Sequence, residues 1–134
     1  MNNSTFQFEG YRIQKSIIEV LELGDDDLSI NFELNGNINK AKGIYLLTLK
    51  TKINNKTNKI LIDVTSVGKF SFPKENSLDE LSGFFYTNAP AILFPYVRAY
   101  IATLTNLSGI KPINLPTLNL TDLGKILKEN TTIE

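Results

Sequence analysis

The sequence predicts an α+β fold: a four-stranded antiparallel β-meander with a short helix, a long kinked helix and a C-terminal helix packed on one face. Two observations carry this prediction. Apolar and polar residues alternate up to about Pro73, and the apolar period becomes helical from Ser77 onward. The 134 residues fit a single domain, with the sheet over residues 1–73 and the helical half over residues 77–130.

Four strands account for the first half of the chain. A long strand is predicted from Phe6 to Leu23, with an irregularity near Gly10, and Leu28–Leu34 alternates as a half-buried strand does. The dipeptide Asn35-Gly36 favours a tight turn after it. The remaining two strands are predicted at Tyr45–Ile53 and, with a break near Gly68, at Ile60–Phe72. Short polar turns between strands predict antiparallel neighbours with one polar face.

A short helix is predicted at each end of the second half. Ser77 with Glu80 three residues later forms a capping-box pattern, and that helix is expected to end near Gly83. Residues 110–120 contain two prolines and are expected to form an extended crossover loop. Asn119 is then expected to cap the last helix.

The long helix is predicted to begin at a cap, Asn88, and to end near Leu107, before the terminator Gly109. Pro95 lies past its first turn and is expected to kink it. Its predicted sheet-facing stripe is Leu93, Val97, Tyr100, Leu104 and Leu107.

The rest of the long helix is apolar as well, since Arg98 is its only charged residue. A helix that is apolar nearly all round must be buried nearly all round, and one four-stranded sheet cannot cover both of its sides. A second subunit is the simplest cover. The candidate interface residues are Ile92, Tyr96, Ala99 and Ile101.

Composition excludes most enzyme chemistry. The chain has no cysteine and no histidine, and its 14 basic residues balance 14 acidic ones. These absences exclude disulfides, thiolate and imidazole metal sites, cysteine nucleophiles and Ser-His-Asp triads. A chain with zero net charge lacks the excess of basic residues that is typical of a nucleic-acid-binding protein. No catalytic, cofactor-binding or metal-binding residues are identified, and we expect a protein that is not an enzyme.

The densest acidic run, Asp25-Asp26-Asp27, does not have the spacing of a calcium loop. Counted from Asp25, the sixth position is Ile30 and the twelfth is Gly36, where an EF-hand requires glycine and glutamate. A solvated loop between strands is therefore the favoured interpretation.

Membrane and export signals are not evident. The longest uninterrupted apolar run, Ala89–Val97, has nine residues, whereas about 20 are needed to span a bilayer. The stretch Met1–Tyr11 lacks the cationic and apolar regions of a secretory signal peptide. We therefore expect a cytoplasmic protein without direct membrane insertion.

The remaining candidate is apolar surface before the long helix and in the crossover loop. Two interpretations stay open: these residues complete the core, or they line a groove that accepts extended peptides without reading their sequence. The candidate groove residues are Phe84, Phe85, Tyr86, Ile113, Leu115, Pro116, Leu118 and Leu120.

Three segments carry a family resemblance. Asn88–Arg98, with the unusual string I-L-F-P-Y, and Pro112–Leu120, P-I-N-L-P-T-L-N-L, resemble the long-helix start and crossover loop of the SecB protein-export chaperones. Gly68–Phe72 is similar to that family's G-x-F-S segment. The resemblance implies an ATP-independent holdase for non-native polypeptides in the cytosol. It also implies a homo-tetramer, built as a dimer of dimers, with the client groove between Lys111–Leu120 and the long helix.

The resemblance also bears on partners. SecB proteins are typically acidic and dock the export motor SecA on a negative sheet face, whereas this chain is neutral. Asp63 falls where the family carries one acidic docking residue, and Lys15 and Ser16 stand where another acid is expected. Two alternatives to export therefore stay open: a dedicated chaperone for one partner, such as the antitoxin of a toxin–antitoxin system, and a non-enzymatic adaptor domain.

Overall fold

The computed structural model describes residues 5–23 and 27–134, without the side chains of residues 120 and 121. The acidic run considered above lies outside this description except for Asp27. The elements are β1 Gln7–Val20, β2 Leu28–Asn39, β3 Ile44–Asn55, β4 Ile60–Ser71, α1 Leu78–Gly83, a π-helical turn Phe84–Asn88, α2 Ala89–Leu107, α3 Leu120–Glu129 and β5 Thr131–Ile133.

The sheet has the strand order β1-β4-β3-β2-β5. The predicted α+β class is confirmed, and β2, β3 and β4 follow one another as antiparallel neighbours. The predicted meander is wrong for β1, which pairs with β4 instead of β2. β1 and β2 lie three strand spacings apart, roughly 14 Å. The seven residues between Val20 and Leu28 are long enough for this connection, since seven residues reach about 23–25 Å when extended.

The predicted turn at Asn35-Gly36 is wrong, because β2 runs on to Asn39 and turns at residues 40–43. Gly36 serves close packing instead. A Cβ there would lie 2.7 Å from the Oγ1 atom of Thr131 and 3.0 Å from a ring carbon of Tyr45. The short strand β5, which the sequence pattern did not predict, pairs parallel to β2 at this point.

Two further irregularities were predicted in the strands. The one near Gly10 is confirmed by a register shift between Phe8 and Gly10, where the glycine has a φ of 114°. The break near Gly68 is wrong, because β4 is continuous across it. The methyl groups of Leu93 approach that glycine at the sheet–helix contact.

Helix α1 begins at the predicted capping box, in which the Ser77 hydroxyl accepts from the Glu80 N–H and the Glu80 carboxylate accepts from the Ser77 N–H. Hydrogen bonds to the Glu80 carboxylate from the Ser77 backbone, the Ser77 side chain and the Asn76 side chain lower the pKa of that carboxyl, the one from the Ser77 backbone most of all. Helix α1 ends at Gly83 as predicted, and the π-helical turn then continues the helical backbone into α2. Asn88 is helical and makes no side-chain cap bond.

Pro90 explains this continuous but irregular helix. It has no N–H, so it cannot donate to the carbonyl of Tyr86 in an α-helix or to that of Phe85 in a π-helix. The Ala89 N–H bonds to the carbonyl of Phe84 instead. The extra residue in this turn rotates the three aromatic residues that precede α2.

Helix α2 buries Leu93, Val97, Ile101 and Thr105 against the sheet. The predicted stripe is right for the first two residues and wrong at its far end. Tyr100 and Leu104 are half-buried, and Leu107 is 80% exposed. Gly109, with a φ of 84°, follows the end of the helix as predicted. No helix in the described ranges combines the length and hydropathy needed to cross a bilayer.

Candidate functional site

Helix α2 has two flanks with different neighbours, and one of them faces β1. The Tyr100 hydroxyl lies 2.8 Å from the hydroxyl of Ser16 on β1. The ring centroid of Tyr96 lies 4.7 Å from that of Tyr11 and 5.7 Å from that of Phe8. This flank therefore carries stacked aromatic rings along an edge strand of the sheet.

Phe84 belongs to the same flank. Its ring stacks on Phe6 with centroids 5.2 Å apart, and its side chain is 40% exposed. Ile92 precedes Tyr96 by one helical turn, and the two are 36% and 43% exposed. We call Phe84, Ile92, Tyr96 and Tyr11 the β1-side strip. A predicted groove residue, Phe84, is thus placed beside the predicted interface residues.

The predicted interface residues do not share one environment. Ala99 is exposed on α2, as Ile92 and Tyr96 are, whereas Ile101 is completely buried within the protomer. Ile101 lies in the stripe that packs on the sheet, because it follows Val97 by four residues. A partner subunit therefore has no access to it.

The crossover loop runs back along the other flank of α2. The Ile113 N–H donates to the Oγ1 atom of the buried Thr105 at 2.9 Å. Two residues further on, the carbonyl of Leu115 accepts a 3.1 Å bond from the Arg98 guanidinium. The single charge of α2 therefore fixes the loop to the helix.

The loop is packed at its start and more open later. Ile113 and Leu115 are 7% and 3% exposed and complete the core. Pro116 is exposed and Leu118 is half-buried. The side chain of Leu120 lies outside the described residues. Of the predicted loop residues, Pro116 and Leu118 thus remain available to a ligand.

Next to this loop an aromatic pair joins α2 to β2. The rings of Phe94 and Phe32 meet edge to face, with centroids 5.8 Å apart, and the guanidinium of Arg98 lies 5.3 Å from the Phe94 ring centroid. Phe32 is half-buried. The alternation of β2 predicted Phe32 as a strand residue, but only the tertiary fold shows its place beside the loop.

Phe85 and Tyr86 lie apart from the open end of the loop. Phe85 is fully buried in the core, where its carbonyl accepts a 3.0 Å bond from the Tyr45 hydroxyl. Burial raises the pKa of the Tyr45 phenol well above its ordinary range. Tyr86 is half-buried under α3, where a Cβ at Gly124 would lie 2.8 Å from the Tyr86 carbonyl oxygen. Burial also raises the pKa of the Tyr86 phenol.

The outer edge of β2 is only partly covered. Within the described residues, β5 pairs with Gly36–Ile38 and leaves the edge of Leu28–Glu33 without a neighbouring strand. The Gly36 N–H and the Ile38 carbonyl bond to the β5 side. Alternate residues of a strand direct their backbone N–H and C=O groups to the same edge. The backbone groups of Ile30 and Phe32 therefore point to the same edge as those of Gly36 and Ile38, where no strand covers them among the described residues.

Asp63 lies on the face of the sheet that the helices do not cover, together with its register partners Ile17 and Lys52. We call this surface the helix-free face. The Asp63 carboxylate bonds to Lys15 at 3.0 Å, and Lys52 occupies the neighbouring position on β3. Lys50 also lines the depression that contains Asp63. Among the described residues, no three His, Cys, Asp or Glu side chains cluster so that they could hold a metal ion.

A family model described as preprotein translocase subunit SecB matches residues 15–127 of the chain. The chain belongs to the SecB family. The match includes all of α2 and the crossover loop and most of the sheet. The predicted resemblance to SecB is therefore confirmed.

Similar proteins agree with this assignment. The chain is 22% identical to the protein-export protein SecB of Rhodospirillum centenum over 88% of its own length and 70% of that protein. It is 29% identical to SecB of Anaplasma phagocytophilum over 65% of its length and 59% of that protein. An uncharacterized Methanocaldococcus jannaschii protein, MJ0357, is 39% identical over 42% of the chain, and the chain spans only 39% of that relative.

One solved structure gives the same fold. It is the SecB-like chaperone Rv1957 of Mycobacterium tuberculosis in complex with a ChAD peptide from the HigA1 antitoxin Rv1956. The two chains align with a TM-score of 0.72 and 17% identity, over 85% of this SecB-family chain and 88% of the other.

Proposed function

We propose that this SecB-family chaperone is an ATP-independent holdase that binds non-native polypeptides in the cytoplasm and catalyses no reaction. The observation that carries the proposal is the open edge of β2 beside the Phe32–Phe94 pair. Its backbone groups accept any extended chain, and the half-buried Phe32, backed by the buried Phe94, offers apolar contact without reading a sequence. Apolar contact contributes about 25 cal/mol per Å² of buried area.

The proposed client surface consists of Ile30, Phe32, Pro116 and Leu118, and the buried Phe94 supports Phe32 from the core side. This surface refines the groove predicted between the crossover loop and α2. Ile113 and Leu115, in the first part of that loop, are buried in the core. The later part of the loop and the β2 edge stay accessible. A client strand would extend the sheet and place alternate side chains on the apolar face.

Aggregation of a chemically denatured, unrelated protein tests the holdase proposal. We expect this protein to suppress light scattering without nucleotide at a several-fold molar excess. Leu118→Asp should abolish most of the suppression, while Leu107→Asp, the same change at an exposed site away from the groove, should not. A wild-type protein that leaves aggregation unchanged would count against the holdase and in favour of an adaptor domain with a filled groove.

The binding mode has its own test. An extended peptide paired to one strand edge uses only alternate amides for pairing. N-methylation of one alternate set in a bound client peptide should therefore weaken binding about tenfold or more, and methylation of the other set should have little effect. Equal effects of both sets would show that the peptide is not added as a strand.

We also propose that the β1-side strip is covered by another subunit in a homo-tetramer, a dimer of dimers. Large apolar residues that are exposed and contiguous in a protomer mark such contacts. Ile92, Tyr96 and Ala99 share one face of α2, and Tyr11 extends that face onto the edge strand β1. Two-fold symmetry would let this face meet its own copy.

The client and the delivery route are separate questions. An export link would follow from the SecB relatives, with SecA as the partner and Asp63 as the docking residue. The Lys15–Asp63 ion pair and the neighbouring lysines weigh against that docking. The peptide complex of Rv1957 favours a second candidate, a dedicated chaperone for an antitoxin.

Purification from the native cell distinguishes these routes. One stoichiometric small partner, with loss of that partner's solubility when the chaperone gene is deleted, would support the dedicated chaperone. Retarded export of several secreted proteins in the same deletion strain would support the export link instead.

A further inference from the structure

We infer that the helix-free face of the sheet docks an acidic, extended segment of a partner protein. This inference goes beyond the client surface, which lies on the opposite face. It rests on two adjoining depressions in that face, of about 240 and 210 Å³. Both depressions are lined by more basic than acidic side chains.

The first depression surrounds Asp63. Lys15, Lys50 and Lys52 contribute three ammonium groups to its lining, and Asp63 is its one carboxylate. Lys15 neutralises that carboxylate at 3.0 Å. Lys50 faces Glu33 across the strand pair, whereas the strand partners of Lys52 are Asn31 and Asp63. Three lysines thus face two carboxylates, Asp63 and Glu33, and this part of the face keeps one excess positive charge.

The second depression lies further along the same strands. Arg12 and Lys69 line it together with Leu46 and Val67. Its acidic residue, Glu9, accepts a 2.7 Å bond from the hydroxyl of Ser71. Cationic groups thus stand beside apolar side chains, which suits a segment that carries carboxylates and apolar residues together.

Exposed apolar residues border the first depression as well. Ile17 pairs with Asp63 in the β1–β4 register, and Leu61 precedes that residue by two positions on β4. The two side chains are 41% and 42% exposed. They add apolar surface beside the lysines of this depression.

Length and charge decide the class of partner. From Lys52 to Leu46, β3 extends about 20 Å, which matches six or seven residues of extended polypeptide. A nucleic acid would need an unbroken basic surface, and here Asp63, Glu9 and the apolar side chains interrupt it. An extended acidic polypeptide matches both the length of this surface and its positive charge.

The test uses a fluorescein-labelled peptide of about twelve glutamate, leucine and serine residues, roughly twice the length of the surface. We expect measurable binding to the whole protein at low salt, weakened several-fold at high salt. The double variant K50E/K52E should weaken it by about tenfold or more. The control K42E/K125E makes the same charge change at exposed lysines off this face and should bind as the wild type does.

Four results would overturn the inference: no binding of the acidic peptide, equal binding by K50E/K52E, equal binding of a peptide with lysine for glutamate, or displacement by a single-stranded oligonucleotide at lower concentration. The milder variant K50Q/K52Q, with an unchanged circular dichroism spectrum, should reduce binding about threefold and keeps the test valid if K50E/K52E does not fold. Suppression of aggregation by K50Q/K52Q should match the wild type, so failure of the docking inference and failure of the holdase proposal remain distinguishable.

Discussion

The hydroxyl of Tyr45 donates a 3.0 Å hydrogen bond to the carbonyl of Phe85, in the turn that precedes Pro90. The Ala89 N–H donates to the carbonyl of Phe84, and Pro90 has no N–H. The helix therefore supplies no donor for the carbonyl of Phe85. Both side chains are fully buried. A residue in the middle of the sheet thus satisfies the defect that a proline creates in the helix.

Tyr45→Phe should reveal the strength of this bond. The substitution keeps the ring in the core and leaves the Phe85 carbonyl buried without a donor, which costs about 1–3 kcal/mol. Urea unfolding at one fixed protein concentration measures the loss of free energy of unfolding. Tyr100→Phe removes a bond between two exposed hydroxyls and should cost less than about 1 kcal/mol. Equal losses in the two variants would contradict this account.

The same tyrosine gives the protein a pH dependence at the alkaline end. Burial raises the pKa of Tyr45 above the 10.0 of an exposed tyrosine. Well below pH 10 both the folded and the unfolded state keep this proton, and stability does not depend on this group. Above it the unfolded state loses the proton, so stability falls by up to about 1.4 kcal/mol per pH unit.

Unfolding of wild type and Tyr45→Phe between pH 8 and about pH 11 measures this effect. The free energy of unfolding of the variant should fall less steeply above pH 10 than that of the wild type. The decrease that remains comes from other groups such as Tyr86, whose pKa is also raised. Parallel curves for the two proteins would assign the alkaline sensitivity to other residues.

Two glycines in helices should respond in opposite ways to alanine. In Gly124→Ala the new methyl group would lie 2.8 Å from the Tyr86 carbonyl oxygen, so α3 must move away from the π-helical turn. Overpacking of this kind costs about 1–3 kcal/mol. Gly83 is helical, and a Cβ there meets nothing within 4 Å. Gly83→Ala should therefore stabilise the protein by roughly 0.5–1 kcal/mol.

Thermal unfolding of the two alanine variants checks this pair. A lower melting temperature for Gly124→Ala and a higher one for Gly83→Ala are expected. A stabilised Gly124→Ala would show that α3 does not pack on Tyr86 at this distance.

Several local signals in the sequence were reliable, and others were overridden by contacts between residues distant in sequence. The capping box at Ser77, the bulge at Gly10 and the terminator Gly109 depend on neighbouring residues, and all three are present. Asn35-Gly36 has the composition of a turn, but contacts with Tyr45 and Thr131, distant in sequence, keep it in a strand. The position of β1 likewise depends on which strand edge it pairs with, β4 or β2, and no local sequence pattern specifies that choice.

The candidate site shows the same division. Apolar composition identified the crossover loop, but whether each residue fills the core or faces a ligand depends on the rotation of the chain around it. Ile113 and Leu115 point inward because Thr105 and Arg98 hold the loop backbone at those two points. Phe84 points to β1 because the π-helical turn rotates it away from the loop.

Thr105→Val should loosen the crossover loop while the core stays filled. Valine has nearly the same shape but cannot accept the Ile113 N–H, so that buried donor loses its partner. A cost of about 1–3 kcal/mol to the closed loop corresponds to roughly 5- to 150-fold faster exchange of the Ile113 amide. Hydrogen exchange measures it. Thr103→Val, at an exposed position on the same helix, should leave this amide unchanged, and unchanged exchange in Thr105→Val itself would mean that Thr105 does not hold the loop.

Aspartate substitutions along α2 separate the core from the proposed subunit interface. Ile101 is completely buried, so Ile101→Asp places an unpaired charge in the protomer and should unfold it. Ile92 is 36% exposed in the protomer, so Ile92→Asp should keep the circular dichroism spectrum but lower the mass in sedimentation velocity. Leu107→Asp changes an 80% exposed residue of the same helix and should alter neither property.

Only the Ile92→Asp result changes if the β1-side strip is free in solution, because the other two results do not depend on a partner. A wild type that sediments as a monomer at micromolar concentration would remove the need for a partner. An Ile92→Asp variant that keeps the wild-type oligomeric mass would place the interface elsewhere. If Ile92→Asp dissociates and still suppresses aggregation, client binding belongs to the single protomer, because the loop side of α2 stays intact when the β1 side is uncovered.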